Sequence, residues 1–201
     1  MSLPTRMILV LTTVGLISGG FLAGVATLTK ERIALNIQKE IAAAIEVVVD
    51  EVEASDVLYK EEDLVIYRGL EEDGDLAGFA IQSTGVGFQD RITLMLGLDE
   101  TLTKITGLTI IDQKETPGLG AKITEWDTFL QFWEERDATG SLTLRKPPVR
   151  TPKELLETEI NSITAATISS KKVLEIANFS LDKVRALVKE GKITKEEPDG
   201  D

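Results

Sequence analysis

The sequence predicts an α+β protein: a single N-terminal transmembrane helix, then one domain in which a mainly antiparallel sheet is flanked by helices. Three patterns carry that expectation. An uncharged run fills residues 7–29. Four short segments rich in β-branched and aromatic residues follow in mid-chain, separated by Gly, Asp and Glu clusters. Two stretches with apolar residues every three or four positions stand on either side of them.

As a helix, residues 7–28 would extend about 33 Å, enough to cross the hydrocarbon core of a bilayer. Arg6 and Lys30 bracket the run. A cleaved signal peptide competes, because Gly24-Val25-Ala26 offers small residues at cleavage positions. Its apolar region would be long for that role, so residues 1–30 read as a retained anchor. Next, Ile33, Ile37, Ile41, Ile45, Val48 and Val52 define one apolar face of a helix over 31–53 that continues the anchor and packs on the domain.

Strands are expected at 64–68, 76–83, 91–98 and 105–112. Beyond them, 125–135 reads as a helix with Trp126, Phe129, Leu130 and Trp133 on one side, a pattern that suits core packing and leaves a stacking role for either tryptophan open. Pro147, Pro148 and Pro152 make 145–152 a connection. A last helix is expected over 167–190, with Val173, Ile176, Ala177, Val184, Leu187 and Val188 on its apolar face and Gly191 at its end. Residues 192–201 form an acidic tail with nothing to bury, expected to be disordered.

Composition narrows the chemistry. The chain of 201 residues has 34 acidic against 22 basic side chains, net −12, and no basic patch, so nucleic acid is not an expected partner. It has no Cys and no His. Thiol redox, Cys-ligated iron–sulfur clusters, His-ligated haem and the usual zinc sites are thereby excluded; no metal site and no catalytic residue are expected, and any electron transfer needs a bound organic cofactor.

Two segments point to such a cofactor. Thr164-Ala165-Ala166-Thr167-Ile168-Ser169-Ser170 sets four hydroxyls around two alanines just before the last helix, where free N–H groups face an anion. Ser and Thr there also read as ordinary N-caps. Glu115-Thr116-Pro117-Gly118-Leu119-Gly120 reads by itself as a surface turn, although two glycines flanking a leucine also let backbone amides approach a flat ring.

Together, and in this order, the two segments resemble the FMN-binding domain family found in the G subunit of the Rnf electron-transport complex and in the C subunit of the Na⁺-translocating NADH:quinone reductase. The likeness covers roughly residues 7–190. Gly85-Val86-Gly87-Phe88 and the run 92–98 also resemble the segment before the family's Pro-Gly loop, far less specifically. Where the family's flavinylation motif has Gly this chain has Ala165, and Asn161 stands where Asp is frequent; if the Ala165 position is left-handed, Ala costs about 1 kcal/mol there.

The resemblance implies FMN attached through a phosphoester to Thr167. It gives Ser169, Ser170 and the amides at the helix start to the phosphate, with Thr164 and Ala166 beside them, and Thr116, Leu119 and Gly120 to the ring, with Glu115 and Gly118 counted as cofactor-binding in the same loop. It further implies an FMN-binding domain over 31–191 on the extracytoplasmic side of the inner membrane; charge flanking the anchor does not orient it. The implied role is an electron-carrying redox subunit of a membrane-bound, ion-translocating ferredoxin:NAD⁺ oxidoreductase complex, working with other membrane and redox subunits and matured by a flavin transferase. The alternatives are the corresponding C subunit of the quinone reductase and a membrane-tethered FMN-binding module outside any pump. A pilin-like protein fits poorly, because Gly20-Phe21 lies inside the apolar run rather than before it. One membrane helix without an intramembrane charge offers no ion path of its own.

Overall fold

The computed structural model describes residues 2–193. The tail read from the sequence as 192–201 with nothing to bury needs correcting at its start, because Ile193 is buried in the main core; from residue 194 onward it falls outside the described residues. The chain divides into two compact units, Met1–Glu40 and Ile41–Asp201. The first is the greater part of helix α1 (Leu3–Val48), which is long and apolar enough to cross a membrane, and no α1 residue before Ala44 is buried.

The second unit is built on a six-stranded antiparallel sheet whose spatial order follows chain order: β1 (Ala54–Lys60), β2 (Leu64–Leu70), β3 (Leu76–Val86), β4 (Arg91–Leu98), β5 (Lys104–Asp112) and β6 (Arg136–Asp137). A separate parallel pair joins β7 (Thr143–Arg145) to β8 (Glu159–Asn161). Helix α2 (Thr167–Lys189) closes the fold. The α+β class and the antiparallel sheet are as the sequence predicts.

Strand alternation gives the sheet two apolar faces. Leu64, Ile66, Phe79, Ile81, Leu94 and Leu96 join the main core, with Val173, Ala177, Leu181 and Val184 of α2. Each of these side chains larger than alanine contributes about 1.5–3 kcal/mol on burial. The intervening Tyr67, Ala80 and Met95 form a smaller cluster with Ala44, Ile45, Val48 and Val49 at the end of α1. Here glycines thin the sheet. A Cβ on Gly69 or Gly78 would press on Val49, one on Gly97 would overlap the Val48 carbonyl oxygen, and Gly107 faces the Val48 backbone. Thr106 Oγ1 donates to that same carbonyl.

The predicted helix over 31–53 therefore needs correcting in extent. Ile33 and Ile37 are exposed, and α1 stops at Val48, where the chain turns through Glu51 with φ 58°. The predicted helix over 125–135 is not formed. Instead 3-10 turns at Gly120–Thr124 and Leu130–Phe132 carry the chain, and Glu135 reverses it at φ 59°. Phe129, Leu130, Phe132 and Trp133 all point into the protein, a demand on four of five successive side chains that tight irregular turns meet better than one helical stripe. Trp133 is fully buried edge-on to Phe129, with ring centres 5.8 Å apart, as core packing requires. Trp126 remains 51% exposed and is not a core residue.

The end of α2 is built as expected. Gly191 takes φ 67° and donates to Val188 O, while Lys192 N donates to Leu187 O, so a left-handed glycine satisfies the last helical carbonyls.

Candidate functional site

The Pro-Gly loop leaves the end of β5 as a tight turn. Leu119 N donates to Thr116 O at 3.1 Å, and Gly118 holds φ 75° at the third turn position, the geometry that pairs Pro117 with a following glycine. Gly118 itself is exposed. Gly120, two residues on, is buried, and a Cβ there would lie 2.6 Å from Ser169 Oγ and 2.7 Å from Glu115 Oε2. The loop is thus pressed against the first turn of α2.

That first turn carries no side-chain cap. Its N-cap residue is Ala166, and the amides of Thr167, Ile168 and Ser169 find no acceptor among the described residues. The ordinary capping reading of the four hydroxyls thus fails, and a helix of 23 residues opens with bare donors. Ser170 is turned inward: its Oγ accepts from Ile163 N at 3.1 Å and donates to Ala166 O at 3.0 Å, fixing the chain that enters the helix. Ala165, immediately before, has φ 65°, so an alanine occupies a left-handed position that favours glycine.

Glu115 links these segments. The residue is 3% exposed and its carboxylate accepts three hydrogen bonds, from Phe88 N at 2.7 Å, from Gln89 N at 3.2 Å and from Ser169 Oγ at 2.7 Å. Gly87 leaves room on the other side, since a Cβ there would stand 2.6 Å from Glu115 Oε1. Outside this junction, Lys114 meets Asp90 at 3.1 Å. The Arg91 amide, and then the Lys114 ammonium, hold the Asp90 carboxyl below the usual aspartate range. The ion pair ties the β3–β4 turn to the Pro-Gly loop a second time.

Between the three segments lies a cavity of about 320 Å³, lined by Phe88, Glu115, Thr116, Leu119, Gly120, Ala165, Ala166, Thr167, Ile168 and Ser169. Phe88, Leu119 and Ile168 are exposed apolar residues on its rim. Of the ten residues singled out from the sequence, seven meet here: Glu115, Thr116, Leu119, Gly120, Ala166, Thr167 and Ser169. Thr164, Ser170 and Gly118 do not line the cavity. Phe88, Ala165 and Ile168 complete the lining; the sequence named them only within its motifs and gave them no place at the site, and the available signal for Phe88 and Ile168 was large apolar residues beside turn glycines and hydroxyls.

The hydroxyls are unequal. Ser169 and Ser170 are buried and hydrogen-bonded within the protein, Thr164 lies away from the cavity, and Thr167 lines it with its hydroxyl making no hydrogen bond among the described residues. The cavity joins exposed apolar side chains to a cluster of donors, a set that fits an aromatic ring bearing a phosphate. Asn161 is a structural residue: its side chain accepts from Val149 N at 2.9 Å and donates to Val149 O at 3.0 Å, a pairing that ionised Asp could not complete.

An FMN-binding domain model matches residues 87–182, a span that holds every residue of the cavity. The chain is 31% identical over 123 residues to the G subunit of the ion-translocating oxidoreductase complex of Methanosarcina acetivorans, covering 61% of this chain and 60% of that protein. It is 30% identical over 130 residues to the G subunit of the Na⁺-translocating ferredoxin:NAD⁺ oxidoreductase complex of Acetobacterium woodii, covering 64% and 59%. The chain thus spans about three fifths of the length of these relatives. Among solved structures, NqrC of Shewanella oneidensis superposes with a TM-score of 0.53 at 18% identity, over 70% of this chain and 73% of that one, a likeness of fold. The resemblance carried by the two motifs holds: residues 87–182 match the FMN-binding domain model, and the chain is similar in sequence to the G subunits of these complexes and in fold to NqrC.

Proposed function

We propose that the protein is an electron-carrying flavoprotein subunit of an Rnf-type ion-translocating ferredoxin:NAD⁺ oxidoreductase complex, with FMN joined to Thr167 Oγ1 by a phosphoester. The observation that carries the attachment is the apportioning of the four hydroxyls of 164–170, of which Thr167 alone both lines the cavity and makes no hydrogen bond among the described residues. The likeness to the G subunits of such complexes supports the wider role.

Attachment by a flavin transferase needs a flavin dinucleotide as donor. Thr167 Oγ1 forms a bond to the flavin-side phosphorus, the pyrophosphate P–O bond breaks, a nucleoside monophosphate leaves with the bonding pair, and the hydroxyl proton passes to a base or solvent. The bare amides of Thr167, Ile168 and Ser169 would hold the phosphate at the positive end of α2. Thr116, Leu119 and Gly120 would meet the ring, with Phe88 and Ile168 on separate walls beside it. When bound, FMN supplies one- and two-electron transfer, which no side chain of this chain provides; the protein positions the ring and excludes competing reactions.

In this reading α1 anchors the chain in the inner membrane as a single span, the flavin domain lies on the extracytoplasmic side, and the neighbouring subunits supply and accept electrons. The likeness in fold to NqrC favours one second reading, the C subunit of a Na⁺-translocating NADH:quinone reductase. The test is the mass of the membrane-expressed protein made with a flavin transferase, followed by peptide mapping. An FMN-sized adduct on Thr167, lost in Thr167→Ala, is expected; covalent flavin that persists in Thr167→Ala overturns the assignment. Co-purification with ferredoxin-oxidising or with quinone-reducing activity then separates the two complexes.

A further inference from the structure

The resemblance counts Glu115 among the cofactor-binding residues of the loop beside the flavin, yet the geometry gives its carboxylate other work. Both oxygens are occupied: Oε1 accepts from Phe88 N and Gln89 N, and Oε2 accepts from Ser169 Oγ. The seat is built on every side. Gly87 and Gly120 leave clearance for the two oxygens, and Gln113 Oε1 accepts from Glu115 N at 2.6 Å, which fixes the backbone beneath. The partners lie 27, 26 and 54 residues away in the chain, on the turn that bears Phe88 and on the helical turn that bears Thr167 and Ile168.

We propose that Glu115 is a positioning residue that sets the distance between the Phe88 wall and the Thr167–Ile168 wall of the cavity, and thereby the seat of the flavin ring, without itself serving as the ring's ligand. The proposal rests on the FMN reading given above. It follows from how the junction is strung. Without the carboxylate, two amides and one buried hydroxyl lose their acceptor, and the 87–89 turn is released from α2. Thr167 stays on its helix, so attachment chemistry keeps its nucleophile while the ring loses a fixed wall.

The test uses the full chain with Glu115→Ala and Glu115→Gln. In protein made without a transferase, amide hydrogen exchange at Phe88 and Gln89 should rise about tenfold or more in Glu115→Ala, while β4 and the middle of α2 keep their protection. In protein made with the transferase, Glu115→Ala should still carry its adduct on Thr167 but show a displaced flavin absorption band and a changed reduction potential. Glu115→Gln should recover most of both, because its amide oxygen can accept from Phe88 and Gln89 while its NH₂ donates to Ser169 Oγ. Unchanged exchange at Phe88 and Gln89 overturns the brace. Raised exchange with a wild-type spectrum and potential overturns the positioning role. If the wild-type chain takes up no flavin, the FMN reading fails and the positioning role with it, while the exchange result still decides whether the brace exists.

Discussion

The carbonyl oxygen of Val48 occupies the space that a side chain on Gly97 would fill, and Thr106 Oγ1 donates to that same oxygen. The last turn of α1 therefore meets β4 backbone to backbone. Gly97→Ala should lower stability by about 3 kcal/mol, because neither main chain can yield. Gly107→Ala, whose Cβ would sit at an ordinary 3.5 Å from Val48 Cα, should cost under about 1 kcal/mol. Urea denaturation of the two variants checks the contrast, and equal losses would contradict it.

Ala165 carries left-handed strain at φ 65°. Ala165→Gly should stabilise the domain by about 0.5–1 kcal/mol, the relief of strain exceeding the added flexibility of the unfolded chain. A lower urea midpoint for the variant would show that the strain is not there.

Gly120→Val is expected to disturb more than a ring contact. Its Cβ would press on Ser169 Oγ and Glu115 Oε2, so the variant should lose that hydrogen bond and about 2–4 kcal/mol of stability, along with a changed flavin spectrum. Thermal unfolding with a wild-type midpoint would refute this.

Asp99 should make stability depend on acid. Burial pushes its carboxyl up, but the Lys104 and Thr103 amides at 2.9 and 2.7 Å and the hydroxyls of Thr101 and Thr103 outweigh that, and the net shift is downward. A carboxylate with a lowered folded-state pKa contributes stability above its unfolded value, and that contribution is lost as pH falls through the folded value. The wild type should therefore lose more stability than Asp99→Asn as pH drops below the ordinary aspartate range. Parallel pH profiles for the two proteins would refute the role.

The anchor gives a further expectation. Removing residues 1–30 should leave a soluble, cooperatively folding domain, because no α1 residue before Ala44 is buried, whereas the intact chain should resist carbonate extraction from membranes. Release of the intact chain by carbonate would show that α1 does not span.

What the sequence revealed depended on how far each signal reached along the chain. Strand β4 was legible to the residue, and β2, β3 and β5 nearly so, because alternation is local and both faces are apolar. Strand β1 was missed: as an edge strand it is mostly exposed, and Asp56 and Lys60 break its period. The segment after the Pro-Gly loop carried aromatics at helical spacing, but spacing could not tell a helix from turns that bury Phe129, Leu130, Phe132 and Trp133 together. At the site, the motifs named most of the lining residues. They could not show that Ser169 and Ser170 spend their hydroxyls inside the protein, because those partners are fixed only by the folded geometry.

The hydrogen bonds of Glu115 that join the cavity walls close loops of 26, 27 and 54 residues, and the Ser180–Ser83 bond that pins α2 to β3 spans 97. Contacts of such range form late, since each must first meet the entropy of a long closed loop. A nascent or unfolded chain thus displays Thr167 with no cavity around it. Under the proposed function, ring recognition by these walls is a property the chain acquires only once these contacts have closed, and the tightness of ring binding should then report whether α2 has docked.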